Sequence, residues 1–152
     1  MNQQLIECVP NFSEGRDLSI IKQITNEIES VDGVKLLDVD PGAATNRTVV
    51  TFVGTPQAVI DAAFKAIVKA GELIDMSKQT GEHARMGATD VCPLIPVANI
   101  SMEETSEWAI KLAKRVGENT HIPTYLYGAS QPNTKRNVLA IIRGGEYEGF
   151  FT

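Results

Sequence analysis

The sequence predicts an α+β domain of the ferredoxin-like kind, a split βαβ sheet, mixed or antiparallel, with helices mainly on one face. Three observations carry that prediction. Apolar β-branched runs and helical apolar repeats alternate along the chain in the order β-α-β-β-α-β-α-β. Glycine, proline or a capping hydroxyl bounds most of the runs, and no linker separates them. The length of 152 residues, with 43% hydrophobic and 22% charged content, suits one domain with its own core.

The elements follow in order. Leu5 to Val9 is a short apolar run ending at Pro10, as a strand does. After the turn NFSEGR, isoleucines at 20, 21, 24 and 28 recur at helical spacing, and the helix is expected to stop near Asp32-Gly33. Val34 to Asp40 reads as a strand running into the turn DPGAATN. Thr48 to Val53, rich in β-branched residues and closed by Gly54, is expected to pair with it. Thr55-Pro56 starts a helix whose apolar face is Val59, Ala63, Phe64, Ile67, Ala70 and Ile74. The segment SKQTGEHARMGATDV is polar and glycine-punctuated, neither clear helix nor clear strand. VCPLIPV then reads as a strand, which Pro93 and Pro96 place at an edge or a bulge. Ser101 and Glu104 make a capping box for a helix carrying Trp108, Leu112 and Val116. Tyr125 to Tyr127 predicts a further strand, and TKRNVLAII a helix that loosens at Gly144-Gly145. One domain, 1–152, results. Its sheet leaves one face bare, to be covered by another domain or another copy of the chain.

Composition excludes several functions. A net charge of -5 argues against nucleic acid, which needs a basic face. No apolar run approaches the roughly 20 residues of a membrane helix. The beginning MNQQLIECVP shows neither a basic leader nor a long apolar stretch, so a cytoplasmic protein is expected. Cys8 and Cys92 follow no metal spacing and sit among apolar neighbours, as buried reduced thiols do. With no Walker loop, dinucleotide fingerprint or HExxH, no metal is expected.

The chemistry-bearing candidates lie in loops. His83, between Gly81 and Gly87 and beside Glu82 and Arg85, can take and give a proton near neutral pH; it reads equally as a surface histidine. His121 sits in a plain helix-to-strand connection. Arg47, next to Asn46, and Arg85, near Gly87, are forks suited to carboxylates, or solvated surface arginines. The turn NFSEG, with Asn11 and Ser13, offers amides and a helix N-terminus to an anion, or merely caps and turns the chain. Cys92, between valine and proline in an apolar strand, reads as inert. Glu82 and Asp90 are possible carboxylate partners of His83. These residues define a histidine-bearing glycine loop and reach no substrate.

The strings LIECVPNFSEGR, LLDVDPGAATNRTVVTFVG, IDMSKQTGEHARMGATDVCPLIPV and PTYLYG closely resemble the glutamate formiminotransferase family, whose unit is also found fused to a cyclodeaminase. The likeness runs through the final RGGEYEG. The resemblance implies transfer of a formimino group from N-formimino-L-glutamate to tetrahydrofolate, giving 5-formiminotetrahydrofolate and glutamate, in histidine degradation. It implies that His83, in the GEH motif, is the catalytic acid/base, and that tetrahydrofolate is a co-substrate with no metal required. Both substrates carry carboxylates, which suits Arg47 and Arg85; Asn11, Ser13, Asn46 and Gly87 complete the expected substrate-binding set. The family's unit has two α/β halves with folate between them and works as a homodimer. The chain corresponds to the first half, so the C-terminal subdomain and a second copy are the expected partners. The rival reading is a non-catalytic module of that family that binds folate or another anion, or associates with itself.

Overall fold

A computed structural model of the chain describes residues 3–74, 88–120, 124–127 and 139–142. Its elements are β1 (Leu5–Cys8), β2 (Asn11–Phe12), α1 (Leu18–Glu29), β3 (Val34–Gly42), β4 (Arg47–Gly54), α2 (Pro56–Leu73), β5 (Thr89–Ala98), α3 (Met102–Asn119), β6 (Thr124–Tyr127) and β7 (Leu139–Ile142). β1 and β2 are two pieces of one strand, broken at Val9-Pro10, and both lie between β4 and β5. Across the sheet the order is therefore β3, β4, β1/β2, β5, β7, β6, with every neighbouring pair antiparallel. Counted with β1/β2 as the first strand, the first four stand in the order fourth, first, third, second. This is the predicted split βαβ arrangement, extended at the β5 side by β7 and β6.

Alternation builds the core. Ile6, Cys8, Phe12, Val50, Phe52, Cys92 and Leu94 point to one side of the sheet and are buried there. Against them pack Ile24 and Ile28 from α1, Val59 and Ile67 from α2, and Leu112 and Val116 from α3. α2 touches both other helices. Its buried Ala62, Ala63, Ala66 and Ala70 keep the packed surface small and let it sit between them. Each fully buried Ile, Leu or Phe contributes about 1.5–3 kcal/mol relative to exposure.

The helix starts follow local chemistry. Asp17 caps α1 by accepting from the amides of Ser19 and Ile20. Ser101 and Glu104 form the predicted capping box of α3. Thr55 occupies the cap position of α2 ahead of Pro56, but its hydroxyl makes no capping bond, so proline's preset φ carries that start.

Two expectations need correction. α1 ends at Glu29, short of Asp32-Gly33; Gly33 instead takes the left-handed φ of +91° that aims the chain into β3. Residues 139–142, expected to be helical, form β7, because the flank of β5 offers Cys92 and Pro93 as partners for Ala140 and Leu139. An apolar run such as VLAII carries no period of its own, so the available partner decides its form. β5 is consequently internal. Its prolines are accommodated by bulging: Val97 and Asp90 are extra residues in the registers against β1 and β2. A third irregularity leaves Leu37 of β3 unmatched against β4.

Candidate functional site

The side of the sheet away from the helices carries a half-exposed second face. Asp40, Val49, Asn11 and Val91 stand in register across β3, β4, β2 and β5, and Lys35, Val53, Glu7 and Ile95 form a parallel row. Leu37 and Val97, lifted by their bulges, are 49% and 53% exposed. No described element packs over this face.

At one end of this face, the strand alternation turns Arg47 outward beside Asn11. The Arg47 Nη2 donates to Asn11 Oδ1 at 2.9 Å, and the Asn11 amide group leans back toward the Val9 carbonyl at 3.4 Å. A guanidinium has five N–H donors. Among the described residues this is the one hydrogen bond of the Arg47 side chain, leaving most of its fork for a carboxylate.

Beneath that arginine, the turn after β2 and the turn before β4 are tied together. Asn46 takes a left-handed φ of 54°, and its Oδ1 accepts from the Gly15 amide at 2.8 Å. The Thr48 hydroxyl donates to the Glu14 carbonyl, and Arg16 Nε donates to the Ala43 carbonyl at 2.8 Å. Gly15 permits this approach: a Cβ there would lie 2.6 Å from both the amide nitrogen and the carbonyl oxygen of Arg47, and closer still to the Gly42 carbonyl. The Ser13 amide donates to the Ala88 carbonyl at 2.9 Å, tying the same turn to the chain entering β5.

At the start of α1 the NFSEG turn places amides on carboxylates of the chain itself. The amides of Arg16 and Asp17 donate to Glu14 Oε2 at 2.9 and 2.8 Å, and Asp17 in turn takes those of Ser19 and Ile20. Two carboxylates thus already fill the α1 N-terminus, which leaves little positive field for a bound anion. Glu14 and Asp17 do the capping there.

The structure brings Asn11 and Arg47 together on the outward face, and sets Ser13 and Asn46 inside at 2% exposure each. His83, Arg85, Gly87, Glu82 and His121 lie outside the described residues. Asp90 belongs to β5, with its side chain also outside them. Sequence reading missed Glu14, Gly15 and Thr48, whose roles come from partners about 30 residues away. It also missed Thr89. This hydroxyl is buried at the first residue of β5, opposite Phe12, and has no hydrogen-bond partner among the described residues. A buried hydroxyl left without a partner costs about 1–3 kcal/mol.

Cys8 and Cys92 are free and wholly buried, with their sulfurs 3.4 Å apart. Burial, followed by the neighbouring Cys92, pushes the Cys8 thiol up, which keeps its thiolate scarce. Among the described residues, no group of three or more His, Cys, Asp or Glu is placed to hold a metal. No described helix is long and apolar enough to cross a membrane.

Fold and site together define the class: a ferredoxin-like α+β domain with a braced arginine on a sheet face over which no described element packs. Residues 5–152 match the family described as the formiminotransferase domain, N-terminal subdomain, and the chain belongs to that family. It is 53% identical to formimidoyltransferase-cyclodeaminase of Gallus gallus over 95% of its own length and 27% of the relative's. It is 42% identical to glutamate formimidoyltransferase of Streptococcus pyogenes serotype M1, covering 96% of the chain and 49% of that protein. Identity to the Thermoplasma acidophilum glutamate formimidoyltransferase is 46%, over 95% and 48%. The chain thus spans about half the length of the single-function relatives and about a quarter of the fused one.

Proposed function

We propose that the chain is the first half of a glutamate formimidoyltransferase, moving a formimino group from N-formimino-L-glutamate to tetrahydrofolate. The observation that carries this reading is the agreement, at 42–53% identity across nearly the whole chain, with relatives bearing that activity in their names. The outward Arg47–Asn11 pair fits the same reading. It supplies a fork for a substrate carboxylate on the face that the second half of the unit would cover, so that the substrates are held between halves.

The chemistry requires one proton to leave N5 of the reduced pterin as it attacks the formimino carbon, and one to reach the departing glutamate nitrogen. A single imidazole can take the first and deliver the second, and His83 is the residue assigned to both steps. The substrates' positions relative to it come from Arg47, Arg85 and the surrounding turns, and confining the two reactants supplies much of the rate. Asn46 and Ser13, being buried, act by holding the turns that carry Arg47 and Asn11. The C-terminal subdomain and a second copy of the unit are the partners of this reading.

The test combines the chain with a polypeptide corresponding to the second half of a single-function relative and follows formation of the formiminated folate. Turnover by the pair, lost by about 10²–10⁴-fold in His83→Ala with unchanged melting, supports the assignment. Unchanged turnover in His83→Ala overturns the acid/base role. Folate binding by the pair with no turnover in the unaltered protein favours the non-catalytic module.

A further inference from the structure

Cys8 and Cys92 are separated by 84 positions in sequence yet have their sulfurs 3.4 Å apart, inside a core where neither is exposed. They lie on adjacent antiparallel strands. Cys8 is in register with Leu94, which makes Cys92 its diagonal neighbour on the same, helix-facing side of the sheet. A disulfide has a sulfur–sulfur bond of about 2.05 Å, so the two sulfurs must close by little more than an ångström, with the strand backbones shifting to bring a diagonal pair within bonding geometry. No other cysteine exists in the chain to compete.

From this juxtaposition we infer that Cys8 and Cys92 are an intramolecular disulfide site, closed by a small two-electron oxidant of the peroxide class. One thiol, as thiolate, attacks a peroxide oxygen and becomes a sulfenic acid as the second oxygen leaves as water. The neighbouring thiol attacks the sulfenic sulfur and expels another water. Two thiols and one hydrogen peroxide thus give one disulfide and two waters. Burial sets the rate. The peroxide must wait for the β1–β5 seam to open, and burial, which pushes the Cys8 thiol up, keeps that residue's thiolate scarce. Proximity sets the product: a sulfenic acid formed at either position meets a thiol before it meets a second peroxide. The bond ties the strand that leads into Asn11 to the strand that begins at Thr89, and it closes a long loop, which restricts the unfolded chain.

The experiment treats the reductant-free chain with hydrogen peroxide and reads intact mass, thiol content in denaturant, a non-reducing peptide map and the melting temperature. The expected product is monomeric and about 2 Da lighter, the two hydrogens lost. Its two thiols are gone, residues 8 and 92 are linked, and its melting temperature is several degrees higher and returns on reduction. Closure is slower than oxidation of a small thiol and accelerates in mild denaturant. In Cys8→Ala the remaining Cys92 gains oxygen instead of losing hydrogen. Oxygen addition to both cysteines of the unaltered chain overturns the inference, as do intermolecular dimers or thiols untouched even in mild denaturant.

Discussion

Arg47 owes its outward position to contacts made by its neighbours. Asn46 and Thr48 on either side are buried and bonded to Gly15 and Glu14, so the strand cannot rotate the guanidinium away from Asn11. Gly15 is the tightest point of that brace. Gly15→Ala drives a methyl into the Gly42 carbonyl and the Arg47 backbone; we expect a loss of about 1–3 kcal/mol, the range for overpacking, read by denaturant unfolding. An unchanged midpoint would mean the two turns can separate freely. Thr89 gives the opposite expectation. Thr89→Val removes a buried hydroxyl that has no partner among the described residues while keeping its shape, so stability should rise by about 1 kcal/mol in the same measurement. A fall in stability would show that the hydroxyl is satisfied within the protein. None of these roles is visible locally, since Gly15 and Asn46 stand 31 positions apart.

Among the elements, the α3 helix was fully legible: S-x-x-E ahead of an apolar repeat predicts the cap and the face, and both form. Ser101→Ala should lower stability by about 1 kcal/mol, or roughly 2–4 °C in melting temperature for a chain of this size. The Ser101 amide, and after it the Gln4 side chain, hold the Glu104 carboxyl below its ordinary range. Because its folded value lies below its unfolded one, the contribution is present above about pH 4.3 and is lost as pH falls through the folded value. Glu104→Gln should therefore flatten a small part of the acid-side decline in melting temperature and leave the rest in place; an identical acid limb would exclude any contribution from this group. β7 and β5 were less legible. VLAII is apolar without a period, and Pro93 and Pro96 leave an edge or a bulge open when read alone. Partners on both sides, with bulges at Val97 and Asp90, made β5 an inner strand.

For the whole molecule, the uneven treatment of the two sheet faces is the main consequence of the fold. One face is sealed by three helices over Phe12, Phe52 and Leu94, while the other keeps Val49, Val53 and Ile95 half-exposed among Glu7, Lys35, Asp40 and Arg47. If the second half of the unit covers that face, Ile95→Lys should leave the chain's own melting within a few degrees, because its new ammonium can face Glu7 across the strand pair. The same change should abolish association with the second half in size-exclusion chromatography. Retained association would place the contact elsewhere.

By itself the sequence determined the element order as far as β6, the ferredoxin-like class, the helix-facing core positions and, through long matching strings, the family. These depend on local periodicity, capping and turn chemistry, which act over a few residues. Only the tertiary structure decided which strands border β5, that β2 seats Asn11 against Arg47, and that Cys8 meets Cys92. Each of these contacts joins side chains or strands through a partner that chain order does not specify. Sheet pairing satisfies backbone hydrogen bonds between whichever strands packing brings together, so the site's neighbours are set by the assembled sheet.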